Sequence, residues 1–234
     1  MNKIEQIYHK LLKEYGPQGW WPRINEKTLL CEYHKGDYGF PRTDAERFEV
    51  CVGALLTQNT QWRPNVERAM IELKRLNLID IDRILKAKHE VIADAIKSSG
   101  YFNQKARKLK NIAEFLKKHT IRELEKMELW QARDLLLGIN GVGAETADSI
   151  LLYALHKPIF VVDAYTKRIF ANLGFIRPDA TYDQVQRLFM DNLEHDTRLF
   201  NEYHALIVEH AKNHYRKKSE YHLCPLYKKY RVNR

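Results

Sequence analysis

Apolar residues along the chain recur at helical spacing nearly throughout. At the start, Ile4, Ile7, Leu11 and Tyr15 return every three or four residues with charges between them, which predicts an amphipathic helix. From Glu46 to Thr57 the apolar positions Phe48, Val50, Cys51, Val52, Leu55 and Leu56 nearly encircle the helix, so this element is predicted to be buried on all sides. A helix with Pro64 in its first turn should reach Leu76, and one capped by Asn103 should run to His119. Short helices are expected over 82–97 and 121–137, then helices over about 144–156, from near Asp163, over about 181–193 and over about 198–216. No alternating strand stands out, and the Val161-Val162 pair is extended for a few residues at most. The irregular stretch is 16–44, with four Gly, three Pro and the adjacent Trp20 and Trp21. Loops that long in compact domains usually serve function.

Composition fits a compact globular protein, and the helical periodicity makes it all-α. The 234 residues are 44% hydrophobic and 29% charged, with ten Gly, seven Pro and no repeat or low-complexity tract. The longest apolar runs, such as residues 150–155, are far below the roughly 20 residues needed to span a bilayer. The N-terminal stretch has no apolar signal region, and a cytoplasmic protein is expected, nucleoid-associated if the source is prokaryotic. Cys31, Cys51 and Cys224 are odd in number and far apart, which favours reduced thiols over a disulfide framework and excludes a four-cysteine metal or iron–sulfur site made by this chain alone.

Charge narrows the partners. Of a net +9, residues 212–234 carry +7, with Glu220 as their single acid. A second cluster, Lys105, Arg107, Lys108, Lys110, Lys117 and Lys118, faces only Glu114. Two such patches suit a polyanion, although charge alone leaves a solvated helix face open.

Residues 136–147 read LLGINGVGAETA, where Gly138, Gly141 and Gly143 interrupt an apolar pattern just before a helix of small residues. Such a turn brings backbone N–H groups to an anion at a helix N-terminus, or simply connects two helices. Twenty residues beyond Gly143 stands Asp163, in VVDAYTKRIF. With Pro158, this order and spacing resembles the helix-hairpin-helix DNA glycosylases of the endonuclease III superfamily, as does LLTQNTQW at 55–62. The resemblance spans about residues 45–215 and is closest to the 3-methyladenine branch, on the WWP element (Trp20, Trp21, Pro22), the LTQNT stretch followed by Trp62, and Glu145-Thr146-Ala147-Asp148 in the hairpin.

The resemblance implies two helical domains, 45–157 with the hairpin at about 129–156, and 1–44 with 158–234, with a groove between them for double-stranded damaged DNA. It implies that Gly138, Gly141, Val142, Gly143 and Thr146 grip the DNA backbone and that Asn59, flanked by Gln58 and Gln61, fills the gap left by an everted base. Asp163 would be the catalytic carboxylate, beside its ordinary role as a helix cap, because a fixed negative charge stabilises an oxocarbenium-like sugar. Trp20 and Trp62 would sandwich the base, with Trp21, Pro22, Glu145 and Lys212 lining the pocket. Aromatic faces attract a cationic alkylated base by roughly 0.5–2 kcal/mol per contact.

Departures from the family refine this expectation. Glu145 occupies the position of the Schiff-base lysine of strand-cutting members and cannot form an imine, so a monofunctional glycosylase without AP lyase activity is expected. No cofactor, iron–sulfur cluster or metal is expected, and a monomer suffices for one damaged nucleotide. The alternatives are excision of another modified purine, such as hypoxanthine or 7-methylguanine, and a non-catalytic helix-hairpin-helix DNA-binding protein. A metallohydrolase using His204, Glu209, His210 and His214 is a further rival, but EHAKNH lacks the H-E-x-x-H order.

Overall fold

The computed structural model describes residues 1–232; Asn233 and Arg234, the end of the basic C-terminal segment, lie outside the described residues. Among the described residues the chain is helical apart from one hairpin of two two-residue strands and connecting loops, and no helix is long and apolar enough to cross a membrane. It divides into two compact units. The middle unit comprises Trp21–His34 and Gly39–Lys157; the terminal unit comprises Met1–Trp20, Lys35–Tyr38 and Pro158–Arg234. The WWP element is therefore divided, with Trp20 in the terminal unit and Trp21 and Pro22 in the middle one.

The middle unit is organised around α2 (Asp44–Leu56), which is buried continuously from Arg47 to Leu56 as its pattern predicts. Thr43 and Glu46 form a reciprocal capping box at its start. Two charges inside the buried span are paired: Arg47 with Glu125 at 2.7 Å, and Glu49 with Lys74 at 2.8 Å. Glu49 also accepts the Ile24 N–H at 2.7 Å, which ties α2 to the small antiparallel hairpin of β1 (Arg23–Ile24) and β2 (Cys31–Glu32) inside the irregular segment.

The remaining helices of this unit are α3 (Glu67–Arg75), α4 (Ile81–Lys86), α5 (His89–Ala95), α6 (Phe102–Lys118), α7 (Ile121–Lys126), α8 (Leu129–Leu137) and α9 (Ala144–Ser149), which a π-helical turn extends through Ile150–Ala154. The stretches 82–97 and 121–137, where short helices are expected, each hold two of them. Ala87 and Lys88 adopt extended backbone, as do Met127 and Glu128, so apolar periodicity continues across joints where the hydrogen-bond ladder stops. Helix α6 begins after Tyr101 in left-handed conformation (φ 47°), not at an Asn103 cap; Asn103 already lies in its first turn. Pro64 falls in a π-helical turn, Trp62–Val66, that leads into α3.

In the terminal unit, α1 (Lys3–Tyr15) buries Ile4, Ile7 and Leu11 against α12 (Thr197–His214). The Tyr203 hydroxyl donates to the Ile4 carbonyl at 2.8 Å. Phe160 stacks on Phe189 with ring centres 3.8 Å apart, and Phe200 and Tyr203 meet the stack edge-on. Helices α10 (Ala164–Asn172) and α11 (Tyr182–Met190) complete this core. The extended stretch 160–162 pairs with no strand among the described residues; Gln186 donates to the Phe160 carbonyl and the Tyr182 hydroxyl accepts the Val162 N–H. The basic C-terminal segment is not a loose tail in its described part. It forms α13 (Pro225–Tyr230), buries Leu226 and Tyr230, and ends with the Val232 N–H on the Leu173 carbonyl at 2.8 Å.

His210, fully buried on α12, sits between the Tyr15 hydroxyl at Nδ1 (2.9 Å) and the Cys224 thiol at Nε2 (3.0 Å). Burial, with smaller effects of His214 and Lys10, pulls its pKa from 6.5 down to about 3. The folded chain therefore holds His210 neutral while the unfolded chain takes up a proton below its ordinary pKa. Stability from this site should fall as pH drops from 6.5 toward about 3, by up to about 1.4 kcal/mol per pH unit. Urea midpoints at neutral pH and near pH 5 check this: His210→Gln should lower the neutral midpoint yet shrink the acid-dependent loss. An equal loss in both proteins would place the acid sensitivity elsewhere.

Candidate active site and nucleic-acid interface

In the middle unit, α8 and α9 form the hairpin. Gly138 closes α8 in ordinary helical conformation. Gly141 uses glycine's freedom: its φ is 96°, and a Cβ there would lie 2.4 Å from Lys108 Cγ. Ile139 and Val142 are buried and fasten the turn. Gly143 begins the next helix in extended conformation with no side-chain cap hydrogen bond. Thr146 is buried and accepts a hydrogen bond from Gln58 at 2.9 Å, while Glu145 is exposed. Asp148, with no exposed surface, accepts from Arg133 Nε and Nη2 at 2.7 and 3.2 Å, which fastens α8 to α9. The motif reading includes Asp148 but not its partner, which lies fifteen positions away on the preceding helix.

The 57–61 loop follows the C-terminus of α2. Asn59 stands exposed at its tip with φ 53°, Gln61 is exposed, and Gln58 turns inward to donate to the Gly141 carbonyl at 3.0 Å. Beneath the loop lies Lys105, only 2% exposed, whose ammonium donates to the Leu56 and Ser99 carbonyls at 2.8 and 2.7 Å and to Thr60 Oγ1 at 3.1 Å. Burial, with repulsion from Lys108, lowers its pKa to about 8. This corrects the view of 105–118 as an open cationic patch. Lys108 donates to Gln58, Lys110 to the Ala87 carbonyl and Lys117 to Asp82, so much of that charge is used within the fold.

Trp21 and Trp62 are both buried and meet edge-on, with ring centres 5.8 Å apart at 89°. Tyr153 contacts Trp21 in the same manner at 5.3 Å. Thus Trp21 is the tryptophan packed on Trp62, with Pro22 buried beside it in sequence; Trp20 is half-buried in the terminal unit. Gly53 makes the arrangement possible, since a Cβ there would lie 2.6 Å from Trp21 Nε1 and 3.3 Å from Trp62 Cζ3. No motif in the sequence marks Gly53. Its one signal is a glycine inside a helix, which costs about 1 kcal/mol relative to alanine and calls for a packing reason.

In the terminal unit, Asp163 caps α10. Its Oδ1 accepts from the Thr166 N–H at 2.7 Å and the Thr166 hydroxyl at 2.8 Å. Oδ2 lies 3.9 Å from Nε2 of His204, on α12. Burial lowers the His204 pKa while Asp163 opposes that shift, so a largely neutral imidazole faces the carboxylate. His204 thus belongs with Asp163 and not with a histidine metal cluster. Lys212 is exposed on α12, its ammonium 3.5 Å from Glu209. His210 and His214 lie near Glu14, their potential ligand atoms within 4.8 Å of one another, but both His210 nitrogens already have hydrogen-bond partners.

A family model described as "HhH-GPD superfamily base excision DNA repair protein" matches residues 52–195. A protein of Methanocaldococcus jannaschii, provisionally named a DNA repair glycosylase, is 43% identical over 96% of this chain and 96% of its own. Among solved structures, an endonuclease III–DNA complex superposes with a TM-score of 0.69 at 20% identity, covering 98% of both chains. The H. pylori 3-methyladenine DNA glycosylase bound to 1,N6-ethenoadenine superposes with a TM-score of 0.68 at 24% identity, covering 91% of this chain and 98% of that one. The chain belongs to the HhH-GPD family, as a base-excision DNA glycosylase of the endonuclease III superfamily. The four-cysteine cluster that many such proteins carry does not fit the residues present: there are three cysteines, Cys31 and Cys51 belong to the middle unit, and Cys224 is buried against His210.

Gly53→Ala tests the aromatic packing. Alanine normally stabilises a helix, but here the rigid Trp21 ring must move, and a net loss of about 1–3 kcal/mol is expected together with a changed near-ultraviolet tryptophan signal. Unchanged stability with an unchanged tryptophan signal would show that the rings do not press on α2.

Proposed function

We propose that this glycosylase is monofunctional, acts as a cytoplasmic monomer on double-stranded DNA, and excises alkylated bases, foremost 3-methyladenine. The observation that carries the chemistry is the division of labour within Asp163. One oxygen is fastened by Thr166, which fixes the direction of the carboxylate, while the other takes no part in the cap. As the C1′–N9 bond breaks, its electron pair passes to the base, and the charge developing on the sugar is stabilised by that carboxylate. Water adds to C1′ and its proton passes to Asp163 or to solvent.

A nucleotide methylated at N3 of adenine is cationic and leaves as a neutral base, so strong acid catalysis is unnecessary. Trp21, Trp62 and Tyr153 supply an aromatic cluster, and the name of the H. pylori neighbour supports the same substrate class. Trp20, Pro22, Glu145 and Lys212 are the remaining proposed pocket residues. Glu145 stands where strand-cutting relatives have an amine, and a carboxylate cannot form the imine that such cutting requires. Asn59, flanked by Gln58 and Gln61, is the proposed wedge, and Gly138, Gly141, Val142, Gly143 and Thr146 are the proposed backbone grip. The chain's three cysteines supply no four-thiolate cluster, and the reaction calls for no cofactor.

Release of free bases from dimethyl-sulfate-treated DNA tests this reading. Wild type should free 3-methyladenine, leave strands uncut until alkali and yield no borohydride-trapped adduct, while Asp163→Asn should lose about two to three orders of magnitude in rate. A trapped adduct would overturn the monofunctional reading. Release of only hypoxanthine or 7-methylguanine would reassign the substrate, and DNA binding without any base release would favour a binding module.

A further inference from the structure

The loop that carries Asn59 is fastened at three places within the middle unit. Lys105 holds its two ends, through the Leu56 carbonyl and Thr60 Oγ1, and the Thr60 hydroxyl in turn donates to the Ser99 carbonyl. The third attachment leads to the hairpin. Lys108 donates to Gln58 Oε1 at 2.6 Å, and the Gln58 amide nitrogen donates to the Gly141 carbonyl at 3.0 Å and to Thr146 Oγ1 at 2.9 Å. The oxygen and nitrogen of one side-chain amide thus join three chain segments that are distant in sequence. Lys108 is placed for this by contact as well as by charge: its methylene stem lies against Gly141, where no Cβ could fit.

We propose that Gln58 and Lys108 are positioning residues that lock the Asn59 loop to the hairpin, so that docking of the hairpin on DNA and insertion of the wedge occur as one rigid movement. This rests on the reading of Asn59 as the wedge. It gives Gln58 a role beyond flanking Asn59, and it gives Lys108 an internal role that its place in a basic cluster does not suggest. The Gly141 left-handed turn belongs to the same device, since it sets the direction of the carbonyl that Gln58 reaches.

The test uses the full chain and a duplex bearing a tetrahydrofuran abasic-site analogue opposite 2-aminopurine, whose fluorescence reports disturbance of the orphaned base without requiring any particular damaged substrate. Wild type at saturation should change the emission, and Asn59→Ala should abolish the change. Gln58→Leu and Lys108→Met should each lose most of it. Lys108→Arg, which keeps the donor, should retain the signal. In a double-mutant cycle the Gln58→Leu and Lys108→Met effects on the concentration giving half-maximal emission change should fall short of multiplicative by about threefold or more, since neighbours in one hydrogen-bond network couple.

If Asn59→Ala leaves the signal intact, the wedge reading fails and the proposal with it. If Asn59→Ala abolishes the signal while Gln58→Leu and Lys108→Met both keep it in full, the wedge stands and the coupling is wrong. Should Lys108→Met fold poorly, Gln58→Glu decides, because it keeps an acceptor for Lys108 and loses the amide donors to the hairpin. A full signal from Gln58→Glu would refute the locking role, and its loss would uphold it.

Discussion

A helix buried from its second turn to its C-terminus must satisfy that end and the charges along the span from inside the protein, and α2 imposes this condition on the middle unit. Its last carbonyl, at Leu56, receives a buried ammonium, although taking a lysine out of water is costly unless its donors are fully used. Lys105 finds three oxygens, and two of them belong to the loop that follows α2 or to its junction. Satisfying the helix end and shaping the loop are therefore the same event. Glu49 repeats the pattern midway along α2, where the need to partner one buried carboxylate brings in both Lys74 and the first strand of the small hairpin.

The parts of this architecture that could be read from the chain are those encoded locally. The amphipathic α1 and the encircled α2 followed from spacing, and the glycine hairpin and Asp163 followed from motifs a few residues long. The joints at Ala87-Lys88 and Met127-Glu128 did not, because apolar periodicity continues across them and only the backbone angles change. Lysine is almost never buried, so a run of basic residues points to a surface patch; only the unfilled carbonyls of a distant helix end explain the burial of Lys105. Gly53 was silent for a similar reason. A glycine reveals the ring packed against it only when the third dimension is known.

In the proposed reaction, Asp163 would serve a structural need and a chemical one with a single side chain. A carboxylate that caps a helix is held by two hydrogen bonds at short distance, so its direction is set before any ligand arrives. The cap is thus a form of preorganisation, and reactions that build positive charge benefit from a negative group that need not reorient. Burial lowers the pKa of His204 beside it, which disfavours a positive charge on the imidazole facing that carboxylate.

The paired Arg133 and Asp148 give the hairpin a further property. With a bidentate bond whose acid has no exposed surface, the angle between α8 and α9 is a stiff spring. When a stiff body meets a deformable one, the softer partner takes up the strain. Bending DNA costs an energy that depends on the stiffness of the base steps being bent, and it falls where stacking is already weakened. If the hairpin docks on DNA as proposed, a duplex that yields easily would fit it at lower cost than an intact one, and part of the search for damage would become a mechanical measurement.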